Sequence, residues 1–392
     1  MSKLIYLDNN ATTIVHPEAI KCMIPYMNKW YGNCSSSHGF GKKCKKKLEE
    51  ARKIIAKLLY VNPYELIFCS GATEANNNCL RGVYAYIKTN KILGNKRPHM
   101  LISPIEHASI LKTAEDLKRY GVCIEYLKVD NEGFINFDDL KNKIKPTTVL
   151  IAVMSDNNEI GTIQKPNILY AIGKLCKKNN IHFHCDATQT IGHRLFYPKK
   201  YFIDSMSFSS HKFHGPRGIG VAYINKNNHN IIPCCSTGGS QEWGMRGGTE
   251  NLAGIMGMTK ALQISLTNLD QKRKKIKKMR EYLKLKLINN IPGIIINGPK
   301  NHLYVKDNTL SICLPYIDSR KLLPMFDKYK ICMNIGSACS LGKRSHVLMA
   351  CGLPIELEKG LLRISLSEYT TFKDCQYVIH VLTKLYKKNI EN

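Results

Sequence analysis

The sequence has no apolar run that approaches ~18 residues, the length that a membrane-spanning helix requires. Its first residues lack the hydrophobic region and cleavage site of a secretory signal, and an arginine-rich transit peptide is also absent. Internal repeats and low-complexity linkers are missing too. With 44% hydrophobic and 22% charged residues, the chain has the composition of a globular protein. We therefore expect a soluble cytoplasmic protein with no membrane partner.

Acidic residues are scarce, since 30 Asp and Glu stand against 58 Lys and Arg, which gives a formal net charge of +28. Two lysine-rich runs, residues 42–47 and 272–278, lie in segments with helical periodicity. A solvated helix face explains such runs better than a nucleic-acid patch. Lys, Asn and Ile are common throughout, which indicates a coding bias. We expect nonspecific binding of polyanions at low salt and no specific nucleic-acid partner.

The 15 cysteines are odd in number and have no regular spacing. This pattern excludes an obvious disulfide framework or a paired-cysteine metal motif. Cys234 and Cys235 are adjacent and suit neither role. We expect most cysteines to be reduced, small apolar core residues, and we predict no resident metal.

Strands and helices alternate between about residues 60 and 225, which indicates parallel βαβ units. The fold class is α/β, with a mostly parallel central sheet, helices on both faces and a smaller α+β domain. The large domain is predicted at residues 16–259, and the small domain at residues 1–15 and 260–392. Predicted strands are 65–68, 100–103, 122–129, 148–154, 181–185, 205–208, 221–224, 293–297 and 309–313. Predicted helices are 74–87, 108–120, 168–177 and one long helix from about 251 to 289.

A lysine directly after a predicted strand is the most informative feature of the chain. Residues 207–216 read Ser-Phe-Ser-Ser-His-Lys-Phe-His-Gly-Pro, with Lys212 between two histidines. Asp186 ends another predicted strand, so both side chains should meet at the carboxyl edge of the sheet. Pyridoxal 5'-phosphate requires a lysine for its imine and commonly an acid on its ring nitrogen. The competing interpretations are a surface lysine and, for Asp186, the N-cap of a helix.

Other residues at the same edge suit the remaining parts of this cofactor. The turn at residues 71–75 joins a strand to a helix, and its backbone N–H groups can bind a phosphate. Ser209 and His211 can donate to that phosphate, and Gln189 can reach the ring hydroxyl. His107 can stack on the ring and move protons, although a hydrogen-bonded loop histidine is the simpler interpretation.

Two further residues suggest substrate chemistry. Cys339 lies in a glycine-rich loop that we expect to be mobile, and nearby Lys343 and Arg344 would favour its thiolate. By composition alone it would be one structural cysteine among many. Arg363 begins a predicted strand, and its guanidinium can clamp a carboxylate, unless it forms an ordinary surface ion pair.

These motifs occur together in the order of a known family. They are residues 7–13 (Leu-Asp-Asn-Asn-Ala-Thr-Thr), 70–74, 106–107, 157–161, 186–189, 209–212, 245–249 and 336–339 (Gly-Ser-Ala-Cys). The chain resembles the NifS/IscS-type cysteine desulfurases of the class-V aminotransferase group from end to end, and its cysteine loop is similar to that of the long-loop branch.

The resemblance implies a homodimer of pyridoxal phosphate fold type I. It implies that Lys212 holds the cofactor, that His107 stacks on its ring, and that Cys339 carries a persulfide. The other implied cofactor contacts are Ala72, Thr73, Asn158, Asp186, Gln189, Ser209, His211 and, from the neighbouring subunit, Thr249. Asn158 and Arg363 would also bind the substrate carboxylate.

The implied reaction converts L-cysteine into L-alanine and an enzyme-bound persulfide, for iron–sulfur cluster assembly or other sulfur transfer. The partner would be a sulfur acceptor or scaffold protein, and Cys339 would at most ligate a cluster transiently through its persulfide.

The sequence departs from the family pattern at Cys34, at Trp243 and in a shortened loop after Cys339. A lyase or aminotransferase that resembles selenocysteine lyase and does not use Cys339, or a noncatalytic basic binding protein, are the alternatives.

Overall fold

The computed structural model describes residues 4–229, 236–336 and 344–390. The strands are β1 (Ile5–Tyr6), β2 (Leu66–Cys69), β3 (His99–Ile102), β4 (Cys123–Tyr126), β5 (Thr148–Ala152), β6 (His182–Asp186), β7 (Ser205–Ser209), β8 (Gly220–Ile224), β9 (Ile295–Ile296), β10 (Thr309–Cys313), β11 (Ile331–Cys332) and β12 (Leu361–Ser365). The helices are α1 (Pro17–Met23), α2 (Pro25–Asn28), α3 (Gly39–Leu59), α4 (Ala72–Thr89), α5 (Ala108–Arg119), α6 (Phe137–Lys143), α7 (Pro166–Lys178), α8 (Leu252–Leu266), α9 (Leu269–Asn290), α10 (Ser319–Lys328), α11 (His346–Ala350), α12 (Ile355–Glu358) and α13 (Phe372–Ile390).

The central sheet has seven strands in the order β2-β8-β7-β6-β5-β3-β4. Strand β8 is antiparallel to both of its neighbours, and the other strands run in one direction. This result confirms the predicted α/β class with a mostly parallel sheet. The carboxyl ends of six strands therefore lie at one edge, where such sheets bind their ligands.

Apolar packing covers both faces of this sheet. Every residue of β2, β3, β5, β6, β7 and β8 is buried, as expected for strands between two helix layers. Successive residues point to opposite faces, so Leu101 and Ile151 join one core while Met100 and Leu150 join the other. Strand β4, at the edge, is partly exposed.

A second core forms around the antiparallel sheet β12-β10-β9. It contains side chains of α9, α10 and α13, together with Ile5 and Leu7 from the start of the chain. Strand β1 pairs with β11, so the segment that precedes residue 16 packs with the C-terminal part. The proposed domain boundaries at residues 16 and 260 stay a prediction.

The predicted long helix from residue 251 to 289 is wrong, because α8 and α9 are separate helices. Thr267 is extended, and Asn268 has a left-handed backbone with φ of 52°. Asparagine tolerates that conformation better than most residues, so it can redirect the chain between two helical segments. Among the described helices, none combines the length and apolar character that crossing a membrane requires.

Candidate active site

The ends of β2, β3, β5, β6 and β7 surround a cavity of about 420 Å³. The residues from the sequence analysis that line it are Ala72, Thr73, His107, Asn158, Asp186, Gln189, Ser209, His211, Lys212 and Arg363. They come from distant parts of the chain, and the parallel strands bring them to one edge. Residues 10–12 of the N-terminal segment also line the cavity.

Lys212 lies in a single 3₁₀ turn, Ser210–Lys212, that directly follows β7. Its Nζ donates to the backbone oxygens of Asn10, at 2.7 Å, and Ala11, at 2.8 Å. The side chain of Gln189 donates to the same Asn10 oxygen at 3.1 Å. These contacts hold the amine at the cavity wall, where its nitrogen can condense with an aldehyde and release water.

Asp186 ends β6 and is 4% exposed. Its Oδ1 accepts the backbone N–H of Thr188 at 2.9 Å, and its Oδ2 accepts the side-chain amide of Asn76 at 2.8 Å. A buried carboxylate without a cation is costly, and a protonated ring nitrogen would supply the opposite charge. Thr188 Oγ1, which also lines the cavity, is buried without a hydrogen-bond partner.

A chain of buried hydrogen bonds fixes Asn76 from behind. Its Oδ1 accepts from His184 Nε2 at 2.9 Å and from Ser207 Oγ at 2.5 Å. Ser205 Oγ connects His184 Nδ1 to His182 Nε2, at 2.8 Å and 2.7 Å. Burial lowers the pKa of both histidines to about 3, so the rings are neutral. Neutral rings can pass hydrogen bonds in one direction toward Asn76.

Asn76 also positions His107. The second amide hydrogen of Asn76 is donated to Ser109 Oγ at 2.8 Å, and Ser109 Oγ lies 2.9 Å from His107 Nδ1. The same Nδ1 caps α5 by accepting the Ser109 N–H at 3.1 Å. One asparagine therefore orients the acid and the histidine together. The sequence analysis missed Asn76 and His184, although the i, i+2 spacing of His184 and Asp186 places both on one sheet face.

Glu106 is completely buried next to this site, and its Oε1 accepts the N–H of Met154. Burial, and secondly the charge of Asp186, raises the pKa of Glu106 well above its usual value. This shift favours the protonated, neutral form of the Glu106 carboxyl.

The opposite end of the cavity suits a phosphate. Helix α4 begins at Ala72, so the N–H groups of its first turn face the cavity. Ser209, at the end of β7, and His211 lie beside this turn. Burial, followed by the charges of Lys212 and Arg217, lowers the pKa of His211 to about 4. A bound dianion would reverse that effect and favour the protonated donor.

Arg363 lies in the middle of β12, 1% exposed, rather than at the start of a strand on the surface. Its Nη2 bonds Asp8 at 2.7 Å, and its Nη1 donates to the backbone oxygen of Asn158 at 3.3 Å. Its Nε is buried and has no hydrogen-bond partner among the described residues. Compact packing against β10 explains why this arginine is buried, and Nε remains available to a carboxylate ligand.

Thr249 lines a separate cavity beside Cys69 and Arg246. Cys339, like Lys343, lies outside the described residues. On the described side of that segment, Arg344 pairs with Glu358, and His346 Nε2 donates to the backbone oxygen of Glu106 at 2.9 Å.

Two of the positions that depart from the family pattern have packing contacts, although Trp243 is 41% exposed. Cys34 is buried in the main core, where burial raises the pKa of its thiol to about 12. Trp243 covers the guanidinium of Arg52 at 4.5 Å from the ring centroid, and Arg52 binds both carboxylate oxygens of Glu242. Both residues therefore have a structural role.

The cavity fits pyridoxal phosphate. It offers an amine, a buried acid lacking a cation, a helix N-terminus and the unpartnered hydroxyl of Thr188. This fold, with a lysine after β7 and an acid at the end of β6, defines a pyridoxal phosphate enzyme of fold type I.

Comparisons with known proteins identify the family. The class-V aminotransferase family matches residues 5–378. The cysteine desulfurase IscS of Clostridium botulinum strain Hall is 40% identical over 100% of this chain and 96% of its own length. That of Dictyoglomus turgidum is 37% identical over 99% and 96%, respectively.

Solved structures agree. A NifS-like protein superposes with a TM-score of 0.89 at 34% identity, covering 98% of this chain and all of that one. The NifS-like protein of Rickettsia africae gives a TM-score of 0.85 at 30% identity, with the same coverage. The chain belongs to the class-V aminotransferase family, in the group of NifS/IscS-type cysteine desulfurases.

Proposed function

We propose that this protein is a pyridoxal phosphate-dependent cysteine desulfurase, which converts L-cysteine into L-alanine and a persulfide on Cys339. One observation carries the proposal: a single cavity contains the amine of Lys212, the acid Asp186 and the buried guanidinium of Arg363. The family supplies the identity of the substrate.

The cofactor would be held by the residues already described. Asp186 and Gln189 would contact the ring nitrogen and ring hydroxyl, and His107 would stack on the ring. Ala72, Thr73, Ser209 and His211 would bind the phosphate. When bound, the cofactor supplies an electron sink for the bond that breaks at Cα.

The residues of the chain orient the substrate and move its protons. Arg363 and Asn158 would bind the carboxylate of cysteine, with Arg363 Nε as an available donor. Asp8 already neutralises part of the Arg363 charge, so the substrate must share this cation. Lys212, at the cavity wall, would take the proton from Cα and return one to the product.

Sulfur transfer requires a nucleophile in addition to these groups. The thiolate of Cys339 would attack the substrate sulfur, the carbon–sulfur bond would break, and Cys339 would keep the sulfur as a persulfide. The product carbon would gain a proton and leave as alanine. A sulfur acceptor or iron–sulfur scaffold protein would then receive the sulfur.

We also propose a homodimer in which Thr249 reaches the phosphate of the neighbouring subunit. Its location outside the cavity of its own chain supports that assignment. We place the enzyme in the cytoplasm.

Turnover assays test the function and its alternatives. The purified protein should show a visible absorbance band from its bound cofactor. In the presence of a thiol reductant, which reduces the persulfide, it should release alanine and sulfide from cysteine. Lys212→Ala should lose the absorbance band and the release of both alanine and sulfide. Cys339→Ser should keep the band and lose desulfuration, whereas Cys332→Ser, a half-buried control, should retain both.

The opposite results identify the alternatives. Undiminished sulfide release by Cys339→Ser would indicate a lyase that does not use this thiol. A colourless protein that does not acquire the band when pyridoxal phosphate is added would indicate a noncatalytic binding protein.

A further inference from the structure

Three potential metal ligands lie at the amino edge of the sheet, opposite the active site. His99 begins β3 and Cys123 begins β4, and the parallel register pairs these two residues. Glu125 lies two residues after Cys123, so it points to the same face of β4. One nitrogen, one sulfur and one carboxylate oxygen from these residues all lie within 4.8 Å of one another.

The imidazole of His99 is already oriented as a ligand. The residue is 1% exposed, and its Nε2 is buried without a hydrogen-bond partner. Its Nδ1 lies 2.8 Å from Thr148 Oγ1, and Nε2 lies 3.5 Å from Glu125 Oε1. Metal-binding histidines typically form a hydrogen bond to a neighbouring group with one ring nitrogen and bind the metal with the other.

Lys145 forms an ion pair with Glu125, the carboxylate of this cluster. A cation therefore already interacts with this carboxylate, and a metal ion would replace it.

We propose that His99 Nε2, Cys123 Sγ and a Glu125 carboxylate oxygen bind one Zn²⁺ ion. Ligands at zinc distances of about 2.0–2.3 Å in a tetrahedron are separated by roughly 3.3–3.8 Å, so small side-chain movements close the site. The mixed nitrogen, sulfur and oxygen set favours this borderline-soft ion over magnesium or calcium. Binding displaces the thiol proton of Cys123 to solvent, and water completes the coordination.

The site would fasten edge strand β4 to β3 and would take no part in the desulfurase reaction. The proposed metal site lies at the beginning of both strands, whereas His107 and the cofactor-binding residues lie at the carboxyl ends of the strands. The sequence analysis predicted no resident metal, and His99 and Cys123 lie 24 positions apart, a spacing that no short metal motif has. Only the strand register brings the ligands together.

Metal binding to the full-length, cofactor-loaded protein tests the proposal. After chelator treatment and dialysis, Zn²⁺ is added and measured by elemental analysis, and Co²⁺ is used as a spectroscopic probe. The Cys339→Ser background removes the proposed catalytic thiol. We expect one zinc per chain and a cobalt–thiolate charge-transfer band.

The variants separate this site from other thiols. Cys123→Ser, at an exposed position, should abolish the band and lower zinc affinity at least tenfold, while thermal unfolding of the metal-free protein and alanine production in the otherwise wild-type enzyme stay unchanged. Thr148→Val should lower the zinc affinity by ~10–100-fold, because it removes the hydroxyl that orients the imidazole of His99. Lys145→Gln should raise it, because the competing cation is removed.

A cobalt–thiolate band that persists in Cys123→Ser, or that disappears in the control Cys332→Ser, would overturn the assignment. Binding of less than about 0.2 zinc per chain at saturating metal would also overturn it.

Discussion

Asn76 shows how one buried side chain determines the geometry of the proposed cofactor site. All of its polar atoms are used: the amide donates to Asp186 and Ser109, and the oxygen accepts from His184 and Ser207. Removing a partner from such a network leaves buried donors and acceptors unsatisfied. The residue contacts neither the lysine nor the cavity directly, so its effect must pass through Asp186 and His107.

We expect Asn76→Ala to lower kcat/KM for cysteine by ~10–100-fold, since a hydrogen bond to a charged group contributes roughly 1.5–3 kcal/mol. Pyridoxal phosphate should also dissociate more readily, and its absorbance maximum should depend differently on pH. Steady-state kinetics and a spectral pH titration measure these effects. The matched control is Asn77→Ala, whose side chain donates to Thr73 and accepts from Arg81, both in its own helix. Equal losses in both variants would contradict a positioning role for Asn76.

The chemical groups of this site were predictable from the sequence, while their support was not. Lys212, Asp186 and His107 follow strand-like segments, so the α/β pattern alone brings them to one edge. The pairing of Asn76 with His184 depends on a contact between α4 and β6, which no local pattern encodes. The burial of Arg363 likewise depends on its neighbours in the second sheet.

Glu106 should make the stability of the fold dependent on pH. Its pKa is raised in the folded state, so the folded protein keeps the proton while the unfolded chain loses it. Stability from this group is complete below the unfolded pKa of about 4.3 and declines as pH rises toward the folded pKa, by about 1.4 kcal/mol per pH unit.

Glu106→Gln, which mimics the protonated acid, should avoid that decline. The free energy of unfolding in urea should therefore favour the variant increasingly as the pH rises above the unfolded pKa of about 4.3. The exposed Glu356→Gln in α12 serves as the control. A difference that shrinks as pH rises would show that Glu106 is ionised in the folded protein.

At the scale of elements, burial explains which predictions were accurate. Strands β5, β6, β7 and β8 begin and end within two residues of the predicted bounds, because β5 and β8 are apolar runs and β6 and β7 alternate apolar with polar residues over a short, distinct length. The predicted strand at residues 122–129 shortens to Cys123–Tyr126, since β4 is an edge strand with one neighbour. The break between α8 and α9 was not predicted, because the left-handed backbone of Asn268 does not interrupt the pattern of apolar residues in the sequence.

Arg52 and Glu242 connect helix α3 to the turn that carries Trp243. Both side chains are at most 2% exposed, and Glu242 also accepts the N–H of Phe68 in β2. The ion pair therefore links three elements inside the main core. Trp243 and Phe68 cover the guanidinium, each at 4.5 Å from the ring centroid.

Breaking this pair should destabilise the fold by roughly 3–5 kcal/mol, because the remaining charge stays buried. Arg52→Met and Glu242→Gln should each lower the unfolding midpoint in urea, and the double variant should lose less than the sum of the two. The exposed pair Lys21 and Glu18 provides the control, and Lys21→Met should leave the unfolding midpoint nearly unchanged, because water screens this pair. Additive losses in the double variant would contradict coupling between Arg52 and Glu242.

At the scale of the whole molecule, the N-terminal segment joins the two cores. Leu7 packs in the second core, while the backbone oxygens of Asn10 and Ala11 hold Lys212 of the first. Asn10 also donates to Thr309 in β10, so it contacts both parts at once. Under the proposed division at residues 16 and 260, the segment that holds Lys212 belongs to the small domain. The position of the lysine therefore depends on packing in that domain.

The net charge of +28 is distributed rather than concentrated at one docking site. In α3 the lysines of the run at residues 42–47 are mostly exposed, whereas Cys44 and Leu48 on the other face are buried. The run at residues 272–278 lies within α9, and its Ile276 packs on the second core. Both runs are thus the solvated faces of amphipathic helices.

Binding to nucleic acid should therefore be weak, independent of base sequence and controlled by salt. A contact that neutralises 6–10 phosphates loses about 10³–10⁵-fold in affinity between 50 and 200 mM salt. We expect unrelated DNA duplexes to bind equally at low salt and to dissociate by 200 mM, as measured by fluorescence anisotropy. Replacing Lys42, Lys43, Lys45 and Lys46 by Gln, or Lys274, Lys275, Lys277 and Lys278 by Gln, should reduce the salt slope similarly, without changing alanine production. Loss of binding from only one set, together with a preference for one duplex at 200 mM salt, would instead indicate a specific nucleic-acid surface.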